Sequence, residues 1–333
     1  MVHVPRPYRV QFSRFGGPDV LELVEMAEPA AGAGEVVVQV LAAGLNPGES
    51  TLREGRLELE NPLPFPQGQG SDFAGVIVGI GDGVRGWRLR DEVLGHTVRA
   101  AQATWVVVPA RNIIRKPPGL AWEIAGSLFV AAAMAWQAVQ GVNPAPGRTV
   151  LVHAAAGGVG GIAVQLCKLR GATVIGTCSR TSFDYLRQHG VIPVAYGANL
   201  DAELARVAPG GIDAELNRMG DDALTTVDST DTAVLERIAG MVANHQISIP
   251  LAAVYPLESV QDAYRELEVG HAHGKIVLTM DPVYYRHQKV QAVDIRETEA
   301  TLDSPGRRPG PPAHEVLPPV FGHRHRKAPS VPK

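Results

Sequence analysis

Residues 148–180 have the sequence RTVLVHAAAGGVGGIAVQLCKLRGATVIGTCSR. The stretch begins with an apolar run, residues 149–153, typical of a parallel strand that is covered on both faces. A glycine-rich turn follows at once, then an apolar helix over residues 159–170 and a second strand over residues 173–177. A strand, turn, helix and strand in this order form a βαβ unit, which predicts an α/β fold with a doubly wound parallel sheet.

The turn carries small residues at the spacing of a dinucleotide-binding loop. Ala155, Gly157 and Gly160 occupy the three small positions of a G-x-G-x-x-G pattern, with Gly158 and Val159 between them. Small side chains let the backbone approach a pyrophosphate, and the helix directs unpaired N–H groups and its positive dipole end toward it. We therefore predict that these five residues bind a dinucleotide; the alternative is a glycine-rich turn in another kind of α/β protein.

The end of the second strand indicates which dinucleotide is bound. An NAD site has an Asp or Glu there for the ribose 2′-hydroxyl, whereas this chain has Cys178, Ser179 and Arg180. A hydroxyl and a guanidinium suit a 2′-phosphate, because both donate hydrogen bonds and Arg adds a positive charge. Ser179 and Arg180 thus favour NADP(H) over NAD(H), unless Arg180 is simply a solvated surface residue.

Composition narrows the class of protein. The chain has 333 residues, 45% of them hydrophobic, and a net charge of −3, which is too balanced for a nucleic-acid or anionic-membrane surface. Only two cysteines are present, so a disulfide framework is not expected. The longest apolar run, residues 125–139, is too short to span a bilayer, and the N-terminus lacks the form of a signal peptide. A soluble, cytoplasmic protein is expected.

Before the glycine turn the pattern is that of a β domain. From Tyr8 to Val108, short apolar runs alternate with glycine and proline, which are strand and turn signals. We predict a mostly antiparallel, barrel-like domain that ends near Pro117, followed by helices over residues 121–141.

Several blocks together resemble one known family. They run in order from Val10 to Leu278 and include GEVVVQVLAAGLNPGES (34–50), QGSDFAGVIVGIGDGV (69–84), DEVLGH (91–96), the glycine stretch, and VYPLESVQDAYRELEVGHAHGKIVL (254–278). By these blocks the chain is similar to the zinc-independent quinone oxidoreductases, the zeta-crystallin-like branch of the medium-chain dehydrogenase/reductases.

The resemblance implies a domain plan and an activity. Residues 1–125 would form a GroES-like β-barrel catalytic domain, residues 126–249 a Rossmann domain that binds NADP(H), and residues 250–280 a return to the catalytic domain. The active site would lie between the domains, where NADPH reduces a quinone or the β-carbon of an enone. Such enzymes are often homodimers.

The resemblance also implies site residues. Zinc-using relatives have Cys and His where this chain has Asn46 and Ser71, so no metal is expected. Asn46 would lie beside the nicotinamide ribose and donate a hydrogen bond to the charged acceptor oxygen; the alternative is that it serves only its own turn before Pro47. Asp72 would orient loops or an adjacent basic group.

Three further positions are compared with the family. Tyr196 matches a tyrosine at the adenosine phosphate end of the cofactor, with a buried sheet tyrosine as the alternative. Lys275 lies where the C-terminal segment returns beside the cofactor, with a surface lysine as the alternative. Met134 replaces a threonine that relatives often place near the nicotinamide, which puts the carboxamide contact in doubt.

The nucleotide-binding region is short. Residues 148–250 number 103, whereas a six-stranded sheet with its helices needs roughly 125 to 130. The missing strands would follow the fourth strand, residues 212–217, at the sheet edge that often forms the dimer interface in relatives. We therefore expect the chain to bind the cofactor, and turnover is the less secure prediction. We expect a homodimer only if the missing sheet edge is not the dimer interface.

Two alternatives to a reductase remain open. One is a non-redox catalyst of cyclisation, addition or isomerisation on the same scaffold, and the other is a nucleotide-binding or interaction protein without activity. Residues 281–333 are rich in Pro, Arg and His and are expected to be a disordered tail. Its His323 and His325 could bind a metal or an acidic partner, but a solvated tail is favoured.

Overall fold

A computed structural model describes residues 7–56, 64–98, 100–216, 232–270 and 272–280. All of them belong to one compact unit, Met1–Gln288. The predicted tail, with His323 and His325, lies outside the described residues.

The described strands form three sheets. In chain order the strands are β1 Tyr8–Phe12, β2 Glu22–Glu25, β3 Glu35–Gly44, β4 Gln67–Gly68, β5 Asp72–Ile80, β6 Glu92–His96, β7 Trp105–Pro109, β8 Ile113–Arg115, β9 Thr149–Val152, β10 Thr173–Cys178, β11 Ile192–Ala195, β12 Ala214–Leu216, β13 Leu251–Pro256 and β14 Lys275–Thr279.

All of the described α-helices except the first follow residue 120. They are α1 Pro47–Arg53, α2 Trp122–Ala125, α3 Phe129–Val142, α4 Gly158–Leu169, α5 Phe183–Gln188, α6 Leu200–Val207, α7 Thr232–Ala243 and α8 Val260–Val269. Within the described part of the chain, no helix is both long enough and apolar enough to cross a membrane.

The N-terminal strands form a mainly antiparallel sheet, as predicted. Its order is β13-β14-β3-β5-β6-β8, with β7 also paired to β3. The long strand β3 is almost wholly buried, because it pairs with β5 on one side and with β7 and then β14 on the other. The last described strands therefore return to the N-terminal sheet.

The predicted barrel does not close in the described residues. The pairings run as an open path from β13 to β8, and strands β2, β1 and β4 form a separate three-stranded antiparallel sheet. Strands β1 and β4 share only two pairs of residues, and β6 and β8 share three. Within the described residues this part of the chain therefore forms two open sheets rather than a closed barrel.

The glycine stretch forms the predicted parallel sheet, of order β11-β10-β9-β12. Alternate residues of β9 face opposite sides: Val150 and Val152 pack in the core under α3, α4 and α7, while Leu151 packs against α6. Helices on both faces make the sheet doubly wound. Four parallel strands are described, with β12 at one edge; residues 217–231, where the shortening was predicted, lie outside the description.

Candidate functional site

The glycine turn joins β9 to α4 with its backbone tightly folded. Ala154 has a φ of +49°, and its carbonyl oxygen accepts a hydrogen bond from the N–H of Gly157 at 2.9 Å. A Cβ on Gly160 would lie 2.2 Å from that same oxygen. The pattern residues therefore occupy this turn and the first turn of α4, where the free helix N–H groups are available to an anion.

The predicted 2′-phosphate residues follow the neighbouring parallel strands. Ser179 and Arg180 come directly after β10, and Tyr196 follows β11. The Arg180 side chain is 76% exposed and lies 3.8 Å from Glu203. Tyr196 is exposed, and its backbone N–H donates to Cys178 O at 3.3 Å. All three therefore share the carboxyl edge of the sheet with the glycine turn.

Asn46 caps the N-terminus of α1 and is buried. Its backbone N–H donates to Glu49 Oε2 at 3.2 Å. Its side-chain amide donates to Glu49 Oε1 and Asp72 Oδ2, each at 3.2 Å, and its Oδ1 accepts from Lys275 Nζ at 2.6 Å. An ammonium can only donate, which fixes the orientation of the amide. Both amide hydrogens of Asn46 thus face carboxylates.

Asp72 begins β5 and is fully buried between two elements. Its Oδ1 accepts from the backbone N–H of Val130 at 3.0 Å, in the first turn of α3, where a carboxylate complements the helix dipole. Its Oδ2 lies 3.8 Å from Lys275 Nζ. Asp72 therefore lies between the N-terminus of α3 and a buried lysine.

Lys275 connects the glycine turn to this polar group. Its Nζ donates to Leu45 O at 2.9 Å as well as to Asn46. Its stem runs beside α4, because a Cβ added to Gly158 would lie 2.9 Å from Lys275 Cδ. Lys275 is 4% exposed, so it is a buried lysine rather than the surface lysine considered as the alternative.

Comparisons with known proteins agree with the fold described above. The alcohol dehydrogenase GroES-like domain matches residues 32–118, and a family described as zinc-binding dehydrogenase matches residues 172–278. The solved structure of the quinone oxidoreductase from Coxiella burnetii has a TM-score of 0.73 and 26% identity, covering 83% of this chain and all of that one. The chain belongs to the quinone oxidoreductase-like medium-chain dehydrogenase/reductases.

Two further proteins are similar to this chain, one in sequence and one in fold. The synaptic vesicle membrane protein VAT-1 homolog of Rattus norvegicus is 34% identical over 212 residues, which are 62% of this chain and 52% of that protein. The chain thus spans about half the length of the curated relative. The Escherichia coli quinone oxidoreductase complexed with NADPH shares the fold, with a TM-score of 0.68 and 22% identity over 82% of this chain and 99% of that one.

Burial controls the titration of the polar group in this quinone oxidoreductase-like chain. Burial raises the pKa of Glu49, and the nearby Asp72 raises it further. Burial also raises the pKa of Asp72 despite the opposing charge of Lys275, and it lowers the pKa of Lys275. Since two carboxylates face one ammonium, a proton shared among them is less costly than two separate buried negative charges.

The structure adds residues that the sequence did not single out. Tyr264 of α8 donates from its hydroxyl to Glu49 Oε2 at 2.6 Å, and Gln102 Nε2 donates to the Tyr264 hydroxyl at 2.8 Å. The N-x-x-E spacing of Asn46 and Glu49 is a capping signal that could have identified Glu49. Tyr264 and Gln102 lie 162 residues apart, so no local pattern could have linked them.

Met134 packs in the hydrophobic core beside α4 and is 6% exposed. The position where relatives often have threonine is therefore filled here by a buried apolar side chain of α3.

Proposed function

We propose that this protein is an NADPH-dependent reductase that acts, without zinc, on quinones or α,β-unsaturated carbonyl compounds. The observation that carries the proposal is the position of Lys275. One buried side chain contacts the glycine turn at Gly158 and also donates to Asn46, so it joins the loop that suits a pyrophosphate to the buried polar group. The names of the Coxiella and Escherichia coli relatives support the same activity.

The residues of the turn fit a dinucleotide. Gly160 has no room for a side chain against Ala154 O, which leaves backbone alone at the start of α4. The predicted contacts are Ala155, Gly157, Gly158, Val159 and Gly160 with the pyrophosphate, and Ser179, Arg180 and Tyr196 with the adenosine end. NADPH, when bound, supplies the hydride.

The chain would stabilise the reaction through charge and orientation. Negative charge that builds on the acceptor oxygen needs a preorganised donor in a site shielded from water. Both amide hydrogens of Asn46 are directed to carboxylates, whereas the Lys275 ammonium has a third hydrogen besides those it donates to Leu45 O and Asn46 Oδ1, so we assign the donor role to Lys275. Asn46 and Asp72 would hold that ammonium in place, and solvent would supply the proton.

The zinc-free character of the proposal rests on chemistry at Asn46. Its Oδ1 accepts a hydrogen bond from the Lys275 ammonium at 2.6 Å. A metal ion that approached this oxygen would be repelled by the positive charge of the ammonium. Within the described residues, no three His, Cys, Asp or Glu side chains are grouped to hold a metal ion.

The test is a pair of measurements on the purified chain. NADPH binding is followed by its fluorescence, and oxidation by the loss of its absorbance with a panel of small quinones and enones. We expect binding and acceptor-dependent oxidation. Binding without oxidation would instead support a nucleotide-binding protein, conversion of an enone without NADPH would support a non-redox catalyst, and failure to bind would overturn the assignment of the turn.

A further inference from the structure

The three-residue segment 273–275, at the start of β14, contacts two distant parts of the molecule. His273 contacts residues that follow β10, and Lys275 contacts Gly158 and Asn46. Gly274 between them has a φ of +112°, and a Cβ there would lie 2.1 Å from Pro250 O. The N–H of Lys275 donates to that same oxygen at 2.9 Å. The backbone of this segment therefore packs closely against Pro250, and the two side chains extend from it to different parts of the molecule.

His273 lies against a group of hydroxyls that we call the hydroxyl cluster, Ser179, Thr181 and Ser182. Ser179 Oγ lies 2.8 Å from Thr181 Oγ1 and 3.0 Å from Ser182 Oγ. Ser182 is 2% exposed, and its Oγ lies 2.7 Å from His273 Nδ1. Ser182 thus anchors one ring nitrogen of a histidine that comes from a remote part of the chain.

The second ring nitrogen of His273, Nε2, is placed where it could bind a ligand. His273 is exposed, and among the described residues its Nε2 has Thr181 Oγ1 as its hydrogen-bond partner, at the long distance of 3.5 Å. The neighbouring Arg180 guanidinium is also exposed; it forms a 3.8 Å ion pair with Glu203 and lies 6.0 Å from the centre of the Phe183 ring. A surface pair of that length contributes little. One cation, one imidazole and two hydroxyls are therefore available at the carboxyl end of β10.

We propose that His273, together with Arg180 and the hydroxyl cluster, binds the 2′-phosphate of NADP(H) and so selects it over NAD(H). This inference rests on the proposed function, since it takes a nicotinamide dinucleotide as the ligand. In α/β dinucleotide folds the ribose 2′ group lies at the end of the second strand, which is where these side chains meet. His273 is a specificity-determining residue, because the ribose of NAD(H) has a 2′-hydroxyl and lacks the charged phosphate oxygens that His273 would bind.

Glu203 opposes the same ligand. Its carboxylate competes with a phosphate for Arg180 and repels the phosphate directly. Removing its charge should therefore strengthen binding of a 2′-phosphate and leave a ligand without that phosphate unaffected. Glu203→Gln and His273→Ala should therefore change the affinity for a 2′-phosphate in opposite directions.

The test uses two small probes, 2′,5′-ADP and 5′-AMP, titrated calorimetrically into the full chain. We expect 2′,5′-ADP to bind at least about tenfold more tightly, because hydrogen bonds to charged groups contribute on that scale. His273→Ala should remove most of this preference without changing 5′-AMP binding, and Glu203→Gln should increase it. His245→Asn, at an exposed histidine elsewhere, should change neither affinity.

Each outcome decides between the two proposals. Thr181→Val gives a test at an exposed position if His273→Ala fails to fold, with a several-fold loss expected for 2′,5′-ADP alone. A wild-type chain that binds NADPH but shows no preference for 2′,5′-ADP overturns this inference and leaves a reductase standing. Equal losses for both probes in His273→Ala overturn it too. A wild-type chain that binds neither NADPH nor either probe overturns the proposed function as well.

Discussion

The buried charges of Lys275 and Asp72 depend on each other. Lys275→Met would leave the carboxylates of Asp72 and Glu49 buried beside one another with no cation. We expect the free energy of unfolding at pH 7 to fall by about 3 kcal/mol or more, because breaking a buried ion pair strands the remaining charge. Urea denaturation measures this change.

A double variant and a control variant test whether the loss of stability in Lys275→Met comes from its ion pair with Asp72. Asp72→Asn added to Lys275→Met should restore part of the lost stability, giving a non-additive double-mutant cycle. Lys168→Met, at a half-buried lysine of α4, should alter stability by no more than about 0.5 kcal/mol. Strict additivity of the Asp72 and Lys275 changes would show that the two side chains are not coupled.

His96 provides a prediction about pH. It is buried on β6 and stacked on Phe129 of α3 at 3.9 Å between ring centroids, and burial lowers its pKa from 6.5 to about 4. As pH falls through 6.5 the unfolded chain takes up a proton that the folded chain does not, so stability is lost between pH 6.5 and 4. At pH 5 the loss from this group is about 2 kcal/mol.

Replacing His96 by phenylalanine isolates that contribution. Phe keeps an aromatic ring against Phe129 and removes the titrating group. Urea unfolding of both proteins at pH 7 and pH 5 should show that the variant gains about 2 kcal/mol relative to wild type at the lower pH. An unchanged difference between the two pH values would mean that His96 is protonated in the folded protein.

At the scale of elements, the start of α4 packs so closely against the preceding turn that there is no room for a side chain at Gly160. A Cβ at Gly160 would lie 2.2 Å from a backbone oxygen, so Gly160→Ala must displace the turn. We expect NADPH affinity to fall at least about tenfold, because a backbone shift misplaces the N–H groups that face the pyrophosphate. Fluorescence titration of NADPH measures the loss.

Two glycines act as controls for this substitution. A Cβ on Gly158 would lie 2.9 Å from Lys275 Cδ and 3.7 Å from its Cγ, side-chain atoms rather than backbone, and we expect a smaller loss of affinity from Gly158→Ala. A Cβ on Gly240, within α7, would meet nothing within 4 Å. Gly240→Ala should leave NADPH binding intact and add about 0.5–1 kcal/mol of stability. Equal effects at all three positions would contradict the steric explanation.

At the scale of the whole molecule, the cofactor should stabilise both sheets together. The segment 273–275 leads into β14 of the antiparallel sheet but contacts the turn and the hydroxyl cluster of the parallel sheet. NADPH at a hundred times its dissociation constant should therefore add about 2.7 kcal/mol to one cooperative unfolding transition.

Two probes distinguish this from local stabilisation. Far-ultraviolet circular dichroism follows the whole unit, and tryptophan fluorescence reports on the four tryptophans, which include Trp105 of β7 and Trp136 of α3. Their midpoints should move together on adding NADPH, and Gly160→Ala should show a much smaller shift. Separate midpoints would show that the two sheets unfold independently. The cytoplasmic location, the homodimer and the shortened sheet edge stay predictions.

The sequence by itself determined the features that depend on neighbouring residues. The βαβ unit could be predicted to within a residue or two, because hydrophobic period and glycine spacing are local properties. The family resemblance placed Asn46, Asp72 and Lys275 among the candidates, and the single strand β3 was visible as an apolar run.

Tertiary structure alone decided how those candidates meet. Lys275 donates to Asn46 across 229 residues of sequence, and His273 reaches Ser182 across 91. The same packing directed both amide hydrogens of Asn46 to carboxylates and left the antiparallel sheet open. Such contacts depend on which strands pair and in what register, and hydrogen bonds between distant residues leave no periodic signal in the chain.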